Sequence, residues 1–81
     1  MRLRLLGIYA LPDGSEYVAD ASNGGGYELY PRRTWDFYRS PAYSVTREGK
    51  LLAAAGAARW RAEQLKDTGG EAQYPLTARL L

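Results

Sequence analysis

Hydroxyls, carboxylates, two lysines and a set of rings mixed with arginine are the chemically capable side chains of this sequence, because histidine and cysteine are both absent. Ser15, Thr34, Ser40 and Ser44, with Lys50 and Lys66, are candidate nucleophiles. No imidazole can take a proton from a hydroxyl, which leaves a Ser–Lys dyad as the one activated arrangement open. Without thiols there are no disulfides and no thiolate metal sites, and without histidine the commonest zinc ligand and the ordinary pH switch are missing. The expectation is a protein that is not an enzyme, with no cofactor and no metal.

The carboxylates Asp13, Glu16, Asp20 and Glu28 gather near two turns. Paired carboxylates can run acid–base chemistry or hold a divalent cation, but the alternating ligand spacing of a calcium loop is missing. They read as solvated surface: Asp13 in a turn, Glu16 and Asp20 on the polar face of a strand. Asn23-Gly24-Gly25-Gly26 resembles a phosphate-binding loop in composition only. Such a loop must feed a helix N-terminus, whereas Tyr27-Glu28-Leu29-Tyr30 reads as a strand, so a hairpin turn is expected.

The most informative set is Tyr27, Tyr30, Trp35, Phe37, Tyr38 and Tyr43, interleaved with Arg32, Arg33, Arg39 and Arg47. Rings that stack and guanidinium groups that pair with carboxylate or phosphate serve both protein hot spots and single-stranded nucleic acids. A small domain also needs its large side chains inside, so about half of the set is expected in the core. The candidate binding surface is Tyr30, Arg32, Arg33, Trp35, Tyr38, Arg39, Tyr43 and Arg47. Arg59-Trp60-Arg61 is a second candidate, with Trp60 expected to face the core.

The elements that position these residues begin with a meander over residues 2–30. Leu3 and Leu5 alternate with Arg2 and Arg4, the phase slips at Leu6-Gly7, and a glycine there marks a bulge or bend. Pro12-Asp13-Gly14 is a turn with a mechanism: proline presets φ, aspartate bonds its own backbone, and glycine accepts positive φ. Glu16 to Ala21 alternates again, and the glycine run leads into Tyr27–Tyr30.

Pro31 ends that strand, and residues 31–41 form an aromatic and basic loop with one or two helical turns. A hairpin over 42–55 turns at Arg47-Glu48-Gly49-Lys50. Lys50 to Lys66 is rich in helix formers and could run as one helix, grouping Leu51, Ala55, Ala58, Ala62 and Leu65. Three alanines in that stripe bind it weakly, so the favoured reading splits the stretch into a strand and a short helix over 57–66, stopped by Thr68-Gly69-Gly70. The tail, 74–81, alternates like a strand and is expected to pair with a sheet edge, that of Leu3–Leu5, or with another subunit.

Eighty-one residues make a single domain, and one of this size buries only roughly 60–65% of its unfolded surface. The fold class is mainly β (α+β): a small antiparallel barrel or roll of five to six strands with one short helix. Strand number and length resemble the SH3-like class of barrels, a resemblance of architecture alone. The net charge of +2 hides a basic middle: residues 31–61 carry seven basic side chains against two acidic ones.

The function expected is a small non-enzymatic protein-interaction module that binds another protein or itself as a homodimer. The alternative is a small barrel binding single-stranded nucleic acid. No apolar run reaches the ~20 residues of a membrane helix, no membrane contact is expected, and a cytoplasmic location fits the cysteine-free composition.

Overall fold

A computed structural model describes residues 1–37, 40–54 and 56–75. Seven strands form one antiparallel sheet: β1 Gly7–Ala10, β2 Glu16–Ala21, β3 Tyr27–Pro31, β4 Tyr43–Val45, β5 Leu51–Ala53, β6 Gly56–Ala57 and β7 Lys66–Glu71. The spatial order is β6-β5-β4-β3-β2-β1-β7, so the meander expected over residues 2–30 supplies the centre. Among the described residues no ladder joins β6 to β7, and the sheet is open.

Three of its hairpins turn in the same way. Gly14, Gly25 and Gly49 have φ of +87°, +87° and +89°. Each donates its amide to the residue three back, Leu11, Ser22 and Thr46. The outer pair is closed by the amides of Leu11, Ser22 and Thr46 bonding the carbonyls of Ser15, Gly26 and Lys50. This is the three-residue loop in which a type I turn ends on a left-handed residue, the position that glycine fills without a steric cost.

Alternation then sorts the side chains. Inward rows run Tyr9–Tyr17–Pro31 and Ala19–Leu29–Tyr43–Ala53 across paired positions, with Val45 opposite Leu51. The inner cluster draws on β1 to β5, with Leu3 and Ala62 closing it. A second cluster on the outer face joins Ile8, Val18, Tyr30 and Trp35. The central strands are therefore covered on both sides, and Val18 and Leu29 are fully buried.

The expected bend at Leu6-Gly7 is present. Gly7 donates to the carbonyl of Arg4, and Leu6 sits at φ +63°, the one described non-glycine residue with positive φ. Regular pairing starts only at Gly7, so Leu3–Leu5 is not a strand.

The stretch after β5 departs furthest from expectation. The helix over 57–66 reduces to a 3-10 turn, Ala62–Gln64, opened by a bond from the Arg61 amide to Gln64 Oε1 at 2.8 Å. Alanine gives a helix little apolar area to bury, and Ala58, Trp60 and Leu65 instead pack on the inner cluster from irregular backbone on either side of the turn. Thr68-Gly69-Gly70 does not stop a helix; it lies inside β7, which pairs with β1, whereas the expectation is for the tail to pair at the edge of Leu3–Leu5. Of that tail, Tyr74 and Pro75 are not in a strand, and 76–81 lie outside the described residues.

β7 pairs irregularly. Gly7 faces Glu71 and Tyr9 faces Asp67, so two more residues separate the pairs on β7 than on β1. Thr68 bridges the gap, its hydroxyl donating to the Ile8 carbonyl at 2.7 Å and accepting from the Gly70 amide at 3.1 Å. The Gly69 amide bonds Asp67 Oδ1, and the Gly70 carbonyl accepts from Arg4. Side chains of Thr68, Asp67 and Arg4 thus satisfy backbone groups that the irregular ladder leaves without a partner strand.

Candidate functional site

Pro31, paired with Tyr17, ends β3, and the chain enters a 3-10 turn, Arg32–Phe37, as the helical turn expected there. Trp35 fixes this turn. Its ring is buried, 5.3 Å from that of Tyr30 and 6.2 Å from that of Tyr74, and Nε1 donates to the Gln73 carbonyl at 2.7 Å. With three residues per turn, Arg32 shares the side of Trp35, while Arg33 and Phe37 turn away from it. Arg32, Arg33 and Phe37 are exposed, and Phe37 keeps 66% of its surface in contact with solvent.

The six described residues of the expected surface do not form one patch. Tyr30 and Trp35 belong to the outer cluster, and Tyr43 packs edge-on against Tyr17 at 5.3 Å beside the inner one. Burial, and then the Tyr17 phenol, push the Tyr43 hydroxyl above its ordinary pKa. Tyr30 is raised as well, by burial first and then by the charges of Glu28 and Asp20. Arg47 lies in the β4–β5 turn against the turn at Gly25, at the end of the sheet away from Arg32 and Arg33. Tyr38 and Arg39 lie outside the described residues. Trp60 is half-buried against the inner cluster, with the Arg59 guanidinium 4.8 Å from its ring centre.

A cleft of about 530 Å³ opens where the row Tyr9–Tyr17–Pro31 ends, between the β1–β2 turn and the start of the 3-10 turn. Tyr17, Pro31 and Ala42 form its apolar part; Asp13, Ser15, Glu16, Arg32 and Arg33 form its polar part. Asp13 accepts from both the amide and the hydroxyl of Ser15, which holds its carboxyl below the usual range. Glu16 is paired with Arg32 at 2.6 Å. Arg33 makes no ion pair among the described residues.

In the sequence Asp13 and Glu16 read as turn and strand surface, and Ser15 as a candidate nucleophile. The signal that unites them with Arg32 and Arg33 is the hairpin register, since Tyr17 opposite Pro31 brings the β1–β2 turn beside the 3-10 turn.

Asp20 corrects the expectation that the acidic residues are all solvated. It is 5% exposed, and its Oδ1 accepts from the Tyr74 hydroxyl at 2.8 Å and from the Ala21 amide at 2.8 Å. The outer face on which it lies is covered by Tyr74, whose phenol the carboxylate pushes above its ordinary pKa. Among the described residues no group of three or more acidic side chains is placed to hold a metal ion, and no helix is long and apolar enough to cross a membrane. Compared with family models, curated proteins and solved structures, the chain matches none of them.

Proposed function

We propose that this domain is a non-enzymatic protein-interaction module that also self-associates, using the exposed face of the turn Arg32–Phe37. The observation that carries this reading is Phe37, 66% exposed on a turn pinned by the buried Trp35 and bearing two arginines. A ring held outward on fixed backbone loses little freedom when a partner covers it, and arginine beside an aromatic is the usual composition of an interface hot spot. The domain is read as a roll of SH3-like size, supported by the single inner cluster shared by β1 to β5. A cytoplasmic site of action belongs to the same reading and rests on the absence of cysteine.

Sedimentation velocity over a concentration series tests it. The wild type is expected to show a reversible dimer, weakened in Phe37→Ala while the circular dichroism spectrum is unchanged. A strict monomer in both removes self-association. Gel shifts with single-stranded DNA and RNA at two salt concentrations test the nucleic-acid alternative, whose affinity would fall by roughly one power of salt per phosphate contacted.

A further inference from the structure

Resting on the interaction-module reading, we infer that the cleft between the β1–β2 turn and Pro31–Arg33 receives an acidic side chain of a partner peptide, its carboxylate paired with Arg33. Charge bookkeeping within the cleft leads there. Asp13 is engaged by Ser15, and Glu16 by Arg32. Arg33 is the cation of the cleft with no ion pair among the described residues, and it is exposed. Its backbone is fixed on both sides, by the ladder position of Pro31 and by the buried ring of Trp35. A guanidinium on such a base offers a preorganised fork that matches a planar carboxylate.

The rest of the cleft selects among anions. Tyr17, Pro31 and Ala42 give the aliphatic part of a glutamate, or a small apolar neighbour, a surface to lie on. Its volume of about 530 Å³ suits one or two side chains. Two carboxylates already stand on the polar side, Asp13 and Glu16. They tolerate a single negative charge aimed at Arg33 but repel a run of phosphates, which weighs against a nucleic-acid strand here.

The test is an NMR titration of the ¹⁵N-labelled full chain with a blocked tetrapeptide of alternating alanine and glutamate. The glutamine counterpart and a short oligothymidylate are run beside it. Saturable shifts are expected at the amides of Ser15, Arg33 and Ala42. Binding should be about ten-fold weaker for the glutamine peptide and for Arg33→Gln, the loss expected of one charge-assisted pair. Silence at those amides with ~5 mM glutamate peptide, a millimolar site being the weakest of interest, overturns the inference, as does a stronger response to oligothymidylate. If Arg33→Gln leaves the titration unchanged while Phe37→Ala still weakens the dimer, the cleft assignment falls and the module reading stands. If the glutamate peptide binds and Phe37→Ala changes nothing in sedimentation, the cleft stands and self-association falls.

Discussion

Arg4 grips Asp67 with two nitrogens, Nε to Oδ2 at 2.8 Å and Nη2 to Oδ1 at 2.6 Å, across 63 positions of sequence. The pair ties the segment before β1 to the outermost strand β7, and Nη2 also donates to the Gly70 carbonyl at 2.9 Å. Arginine's fork suits a carboxylate, so the contact fixes geometry as well as charge. The cost is acid sensitivity. Arg4 first, and then the Gly69 amide, lower the Asp67 carboxyl from 3.8 to about 2.

That shift sets a pH window. The contribution of Asp67 to stability is complete above its unfolded value of 3.8 and is lost as pH falls toward about 2. Carboxyl chemical shifts followed through the acid range are expected to put Asp67 at about 2 rather than 3.8. Arg4→Gln should return it toward 3.8. A wild-type value at the ordinary position would show that the pair does not persist in solution.

Gly24 and Gly26 make an internal control. A Cβ at Gly24 meets nothing within 4 Å, whereas one at Gly26 runs into the carbonyl of Val45 on β4. Gly24→Ala is therefore expected to change stability by less than about 0.5 kcal/mol. Gly26→Ala should cost about 1–3 kcal/mol, because the neighbour is backbone and must shift. Urea denaturation of both variants measures the difference, and equal midpoints would contradict the close approach of β3 and β4.

The contrast between β2 and β7 explains how much could be read without coordinates. Glu16–Ala21 is legible because its side chains alternate and the turns at Gly14 and Gly25 bracket it. Lys66–Glu71 holds no large apolar residue and is a strand only because β1 offers it a ladder, a cause outside its own residues. Its two glycines therefore read as a helix stop. The candidate site divides in the same way. Arg32 and Arg33 stand out by composition, but the carboxylates beside them are brought there by pairing of β2 with β3. Asp20 looks like ordinary strand surface because Tyr74, which covers it, is 54 positions away.

Tyr74→Phe isolates that contact. The ring stays, and with it the packing on Trp35, but the donor to Asp20 is removed. A buried carboxylate that loses a hydrogen bond destabilises the fold by about 1–3 kcal/mol. Chemical denaturation at neutral pH is the measurement, and a loss under about 0.3 kcal/mol would mean that solvent replaces the phenol.

Thr68→Val tests whether a side-chain hydroxyl holds the edge strand β7 on β1. Valine matches threonine in shape but cannot donate to the Ile8 carbonyl or accept from the Gly70 amide. Two backbone groups in the gap between β1 and β7 then lose their partners, which loosens β7 and offers the edge of β1 to another chain. Stability should fall by about 1–2 kcal/mol. The variant should also associate more strongly as concentration rises, through a contact that Phe37→Ala does not weaken. Sedimentation of the double variant Thr68→Val with Phe37→Ala decides the matter: association that persists belongs to the exposed edge, and association that disappears belongs to the face carrying Phe37.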